Sequence, residues 1–174
     1  GADAGKYSVK TSVWNPNGQK LTEQTIPLSQ IKYNDNSLSQ EFIIQTPTLW
    51  SPDMPALYSA ETRLYEGDQL KDIYTTPFGI RSIEIIPNKG FFLNGEKTVF
   101  KGVCNHHDLG PLGAAVNDAA IRRQIRILKD MGCNAIRTSH NMPAPELVRA
   151  CDEMGMMLMV ESFDEWNKAK CANG

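Results

Sequence analysis

Three short stretches carry most of the side chains able to do chemistry. They are Cys104-Asn105-His106-His107-Asp108, Arg137-Thr138-Ser139-His140-Asn141 and Glu161-Ser162-Phe163-Asp164-Glu165-Trp166. All three histidines of the chain fall in them. Imidazoles accept and donate protons near neutrality. A guanidinium binds carboxylates and other oxygens. The Trp166 ring offers an apolar platform with a polar edge. A rim of His, Arg, Asn and carboxylates around an aromatic suits a hydroxyl-rich, neutral ligand. Other chemistries lack their signatures. The Gly110-Pro111-Leu112-Gly113 run does not have the helix-opening pattern of a phosphate loop. No G-x-S-x-G nucleophile elbow is present. A zinc triad of His106, His140 and a carboxylate has no supporting spacing.

Each of these residues also has a plainer reading. His106 and His107 are adjacent, so on extended backbone they face opposite ways and at most one reaches a shared rim. Arg137 beside Glu161 reads equally as a structural ion pair. Trp166 reads as a lid over core, and Asp164 and Glu165 as solvated charges.

The second half of the chain must position these stretches. Ser82–Ile86 is a strand candidate. Phe91-Phe92-Leu93 and Thr98–Val103 flank Asn94-Gly95, a strong two-residue hairpin signal. Asn117 or Asp118 can cap a helix running to Met131. Its Ile121, Ile125 and Leu128 share one face, and Gly132 fits the stop. Asn134–Arg137 is a short strand. Pro145 suits a first helical turn, Leu147, Cys151 and Met154 share a face, and Gly155 ends that helix. Met156–Val160 is an apolar run of strand length. Strand–helix–strand–helix–strand implies a parallel unit. In parallel α/β folds the functional face lies at the carboxyl ends of the strands. All three polar stretches begin there.

The first half has a different grammar. Tyr7, Val9, Thr11 and Val13 alternate with polar residues, the period of a half-buried strand. Leu21–Ile26, Gln40–Ile44, Tyr58–Tyr65 and Leu70–Thr75 are further strand candidates. Asn15-Pro16-Asn17-Gly18 and Glu66-Gly67-Asp68 mark turns. Short strands with frequent turns imply an immunoglobulin-like antiparallel sandwich. The expected domains are residues 1–81, the sandwich, and 82–174, the parallel α/β part.

Composition narrows the field. The chain has 174 residues, a net charge of −2 and 41% hydrophobic residues. That is globular, and a basic nucleic-acid surface is not indicated. No apolar run approaches the ~20 residues that span a bilayer. Of the four cysteines, Cys104, Cys133 and Cys151 sit in or beside apolar segments and Cys171 near the end, so reduced, buried thiols are expected. Gly1 lacks the initiator Met and any apolar signal core behind it. It fits a cleavage scar, and the sequence is silent on export.

In this order and spacing the motifs resemble glycoside hydrolase family 2, the β-galactosidase-like enzymes. Leu49-Trp50-Ser51-Pro52-Asp53 with Pro55-Ala56-Leu57-Tyr58 resembles the end of the family's immunoglobulin-like domain. Phe78-Gly79-Ile80-Arg81 resembles its exit into the catalytic barrel. Phe92-Leu93-Asn94-Gly95-Glu96-Lys97 and Lys101-Gly102-Val103 resemble the hairpin and first barrel strand. The stretches from Ile136 to Asn141 and from Glu161 to Trp166 resemble the ends of the second and third strands. The resemblance implies an immunoglobulin-like sandwich followed by an incomplete (β/α)8 TIM-barrel segment. It implies that His106, Arg137 and His140 line the deepest sugar subsite and that Glu161 holds its polar network. Asn141, Glu165 and Trp166 complete the expected substrate-binding set. Glu165 falls near a carboxylate that binds magnesium in some members, but Asn167 replaces a nearby His ligand, so that magnesium ligand set is incomplete here. No other cofactor is expected. The usual Arg-His is Asn105-His106 here, and Ala144 replaces a common helix-capping Ser.

The family's retaining chemistry uses two carboxylates, an acid/base after an Asn-Glu motif at the fourth strand and a nucleophile at the seventh. No Asn-Glu occurs in this chain. The resemblance therefore implies a piece of a longer exo-β-glycosidase, acting on β-galactosides, that is inactive alone. β-Glucuronides and β-mannosides are alternative substrates, and a non-catalytic carbohydrate-binding or interaction module is the rival class. A metal-dependent hydrolase is a third option. The expected partner is a β-linked glycoside, without nucleic acid or membrane. Three parallel strands cannot close a barrel, so self-association through the open edge is expected.

Overall fold

A computed structural model describes residues 4–30 and 37–164 of the chain. They divide into two compact units, the described residues of 1–48 with 56–80, and those of 49–55 with 81–174.

The first unit is built on an antiparallel sheet. Its strands are β1 (Tyr7–Trp14), β2 (Lys20–Pro27), β3 (Tyr58–Glu66) and β4 (Gln69–Phe78), in the order β2-β1-β3-β4. The β1–β2 turn is tied by Asn15, whose Oδ1 accepts the amides of Asn17 at 3.0 Å and Gln19 at 2.9 Å. That is the side-chain turn expected of Asn. Gly67 and Asp68 connect β3 to β4. Central β1 buries Thr11, Ser12 and Val13. The expected strand Gln40–Ile44 is corrected. Leu38, Gln40, Phe42 and Ile44 are half-buried and their neighbours exposed, which is strand periodicity, but the backbone joins no ladder. The Gln40 side chain makes the attachment instead. It accepts from the Thr11 hydroxyl at 2.6 Å and donates to the Gln24 carbonyl at 3.3 Å.

The second unit opens with a small antiparallel sheet of β5 (Ile83–Ile86), β6 (Gly90–Leu93) and β7 (Glu96–Lys97). Asn94 at φ 54° and Gly95 at φ 81° form the two-residue turn their types favour. The expected strand Thr98–Val103 is also corrected. Asn134 stitches this stretch down with its side chain, Oδ1 accepting the Lys101 amide at 2.8 Å and Nδ2 donating to the Val99 carbonyl at 3.0 Å. A ladder resumes only at β8 (Gly102–Asn105). Cys104 and Asn105 therefore belong to the strand rather than to the loop after it.

Helix α1 (Asp118–Asp130) starts at Asn117, whose Oδ1 accepts the Ala120 amide at 2.9 Å. It is followed by β9 (Ala135–Thr138), α2 (Pro145–Met154) and β10 (Met157–Met159). Strands β10-β9-β8 form a parallel sheet with β9 in the middle. The core joins Ile121, Ile125 and Leu128 of α1 to Ile136, Ala150, Cys151 and Met156. Each of the Ile, Leu and Met side chains among them contributes about 1.5–3 kcal/mol on burial. Among the described residues, no helix is long and apolar enough to cross a membrane.

Residues 49–55 complete this unit from afar in the sequence. Trp50 is 1% exposed. Its indole N–H donates to the Asp152 carbonyl at 2.8 Å, and Arg81 lies 4.9 Å above its ring. The Lys129 ammonium donates to the Pro52, Met154 and Gly155 carbonyls at 2.8, 2.7 and 3.1 Å. This one cation covers orphan carbonyls at the end of α2 and holds the incoming segment.

Candidate functional site

The alternation of the strands decides which side chains meet. On β8, Val103 packs against the core, so Cys104 points to the opposite face. On β9, Ile136 is in the core and Arg137 faces away from it. The parallel register sets Arg137 directly beside Cys104 on one flank and Met159 on the other. Beyond β10, the Glu161 amide donates to the Thr138 hydroxyl at 3.1 Å, which fixes where the Glu161 side chain begins.

The result is a connected polar network. Arg137 Nε donates to Glu161 Oε1 at 2.5 Å, and Nη2 contacts the same oxygen. His140 Nδ1 lies 2.9 Å from Glu161 Oε2 and 4.0 Å from an Asp164 oxygen. With carboxylates on that side, Nδ1 is the ring nitrogen that carries a proton toward Glu161. The His106 ring meets His140 edge to face, centroids 5.5 Å apart. The peptide bond between Ser139 and His140 is cis.

Electrostatics follow from these contacts. Burial pushes the Glu161 carboxyl up, but hydrogen bonds from His140 and Arg137 and the guanidinium charge outweigh it and hold it below the usual carboxylate range. Glu161 is therefore an ionised anchor. The Cys104 thiol is lowered, chiefly by its hydrogen bond from Arg137.

The expected site residues divide into three groups. Arg137, His140 and Glu161 line one open cleft, and His106 touches it through His140. Asn141 lines a neighbouring pocket, together with His106, Asn105 and Leu147. Glu165 and Trp166 lie outside the described residues. His107 does not line the cleft but lines this neighbouring pocket beside His106, its Nε2 3.0 Å from the Ala114 carbonyl. The expectation that the adjacent rings face opposite ways is corrected, because both lie past the end of β8, where strand alternation no longer applies.

Cys104 and Phe163 stand in the polar stretches but outside the expected substrate-binding set. Phe163 lines the cleft beside Arg137 and Glu161. The expectation of a buried Cys104 is corrected, since that residue is exposed, Cys133 is intermediate and Cys151 is buried. The signal for Cys104 was the strand alternation, hidden by a strand end placed two residues too early. Among the described residues, no group of three or more His, Cys, Asp or Glu is placed to hold a metal ion. Asn167, which bears on the magnesium question, lies outside the described residues, as does Cys171.

Comparison with known proteins gives this geometry a family. The model for glycosyl hydrolases family 2 matches residues 1–81, and the model for the TIM barrel domain of the same family matches residues 84–170. A β-galactosidase from Bacteroides ovatus is 52% identical over 135 residues, covering 78% of this chain and 16% of that protein. The crystal structure of a β-glycosidase from Bacteroides vulgatus superposes with a TM-score of 0.82 at 41% identity, over 96% of this chain and 21% of the other. The β-glucuronidase of Parabacteroides merdae superposes with a TM-score of 0.79 at 30% identity, over 90% of this chain and 20% of the other. The chain thus spans about a fifth or less of the length of these relatives. The expected fold class holds: an immunoglobulin-like sandwich domain followed by a TIM-barrel segment whose sheet is not closed. Consecutive parts of one set of glycosidases are matched along the chain, which belongs to family 2 of the glycosyl hydrolases.

Proposed function

We propose that this chain supplies part of the sugar-binding rim of a retaining exo-β-glycosidase, and that the sugar is a β-galactoside. The observation that carries the reading is the Arg137–Glu161–His140 network at the carboxyl ends of parallel strands. Its fixed donors and acceptors suit hydroxyl groups. His140 offers its second ring nitrogen, Nε2, to one hydroxyl, and His106 stands at the side of His140. Phe163 adds an apolar surface for ring C–H groups.

Glu161 does not fit the acid/base. Retaining hydrolysis needs one carboxyl with a raised pKa and a second as nucleophile, about 5–5.5 Å apart. Glu161 is displaced downward and tied on both oxygens. Its role in this reading is to orient Arg137 and His140.

Charge favours a neutral sugar over a uronate. Among the described residues, Arg137 is the guanidinium that lines the cleft, and it is committed to Glu161, an ionised carboxylate. A glucuronide carboxylate entering here meets like charge. β-Glucuronidases among the relatives, that of Parabacteroides merdae included, are the reason to test that alternative directly.

The test is a calorimetric or NMR titration of this chain with methyl β-D-galactopyranoside and methyl β-D-glucuronide. The galactoside binds, and the glucuronide binds about tenfold more weakly, a like-charge penalty that salt reduces. Glu161→Gln weakens the galactoside about tenfold or more, as expected when a charge-assisted pair is broken. Preference for the glucuronide overturns the galactoside assignment. Loss of neither ligand on Glu161→Gln overturns the site itself.

A further inference from the structure

Arg137 makes one contact that sugar binding does not account for. Its Nη1 donates to the Cys104 sulfur at 3.5 Å. Cys104 and Arg137 are direct cross-strand partners on β8 and β9. The guanidinium is thus held between a sulfur on one side and the Glu161 carboxylate on the other.

The way it holds Glu161 is unusual. Arginine and carboxylate commonly pair as two forks, with two nitrogens on two oxygens. Here Nε and Nη2 both reach Oε1, and Oε2 is left to His140 Nδ1. A guanidinium turned toward the common fork would take Oε2 from His140. The acceptor opposing that turn is the Cys104 sulfur, because it engages Nη1.

We propose that Cys104 is a positioning residue. Its sulfur fixes the plane of the Arg137 guanidinium, so that one Glu161 oxygen stays available to orient His140. The effect on sugar binding rests on the proposed function above, whereas the coupling of Cys104 to Arg137 and His140 does not. The thiol's electrostatics agree. The Cys104 thiol is lowered by the hydrogen bond from Arg137, whereas burial and then the Asp152 charge push the core thiol of Cys151 up to about 12.

Cys104→Ala and Cys104→Ser separate this role from a packing role. Serine keeps an acceptor at that point, and alanine does not. The readouts are the side-chain N–H signals of Arg137 and His140 by NMR, with the amides of α1 and α2 as the check on folding. The expected result is that Cys104→Ser retains both signals. Cys104→Ala moves the His140 Nδ1–H signal and weakens methyl β-D-galactopyranoside several-fold. A second measurement uses iodoacetamide, whose carbon bonds to the thiolate sulfur as iodide leaves. Arg137→Gln slows that reaction at Cys104 near neutral pH, because the thiolate loses its cation. Unchanged Arg137 and His140 signals in Cys104→Ala, or an unchanged alkylation rate in Arg137→Gln, overturn the proposal. If the His140 signal moves but no glycoside binds to the unmodified chain, the positioning role stands and the sugar-binding reading falls.

Discussion

The indole of Trp50 and the carbonyl of Asp152 are hydrogen-bonded at 2.8 Å across 102 positions of sequence. Trp50 is buried, and its own carbonyl accepts from Asn94 Nδ2 at 3.0 Å. Trp50→Ala removes this filling and is expected to cost about 3–5 kcal/mol, the range for a buried aromatic. Trp50→Phe keeps most of the volume and costs less. Chemical denaturation of the three chains checks the order.

Gly155 ends α2 at φ 74°, and a Cβ built there falls 2.2 Å from the Pro52 carbonyl oxygen. Gly18, at φ 77°, has nothing within 4 Å. Gly18→Ala isolates the cost of the left-handed backbone, about 1–2 kcal/mol. Gly155→Ala adds an overlap with main chain and is expected to lose about 1–3 kcal/mol more. Equal melting shifts for the two variants would mean that the 49–55 segment yields freely.

The two helices begin differently. Asn117 caps α1 with its side chain, whereas Ala144 at the start of α2 is extended and makes no such bond. Asn117→Ala should cost about 1 kcal/mol, and Ala144→Ser or Ala144→Asp should gain a comparable amount. Thermal melts of the single variants test both directions.

Glu23 illustrates acid sensitivity at the surface. Lys10 and Lys20 lie 2.7 and 3.0 Å from its oxygens, and the Ser12 hydroxyl donates at 2.7 Å. These contacts, led by the Lys10 hydrogen bond, hold the carboxyl down from 4.5 to about 2. A folded value below the unfolded one means the stabilisation is present above the unfolded value and is lost as pH falls through the folded one. Melts of Glu23→Gln should therefore fall less steeply than wild type between pH 4.5 and about 2. Added salt should narrow the gap, since the group is exposed.

Strand β10 pairs with β9 on one side, and no other described strand lies on its outer edge. Met159 is 55% and Val160 47% exposed. An unpaired edge with apolar side chains recruits other chains. Light scattering should show mass increasing with concentration, and Met159→Lys should shift it toward the monomer. A monomeric mass at all concentrations counts against association through this edge.

Local signals were legible in the sequence. Asn94-Gly95 dictated its turn, Gly132 and Gly155 followed their helices, and Ile121, Ile125 and Leu128 turned to the core. So was the gathering of Arg137, His140 and Glu161, because strand ends share one rim. What stayed hidden depends on partners distant in sequence. Nothing near Val99 announces that Asn134 will hold it, so a strand was expected where a stitched loop lies. The strand therefore ends at Asn105, two residues later than its sequence suggests, and carries Cys104 on its outer face. Gln40–Ile44 has the period of a strand, but a ladder also needs a neighbour, and periodicity carries no information about one.

The three carbonyls gathered by Lys129 bear on how the chain can be dissected. A fragment starting at Arg81 would retain every helix and parallel strand described here, yet lack the indole beneath them and one oxygen under the lysine amine. Expression boundaries drawn only from strand and helix counts would excise a wedge that the barrel segment borrows from earlier in the polypeptide.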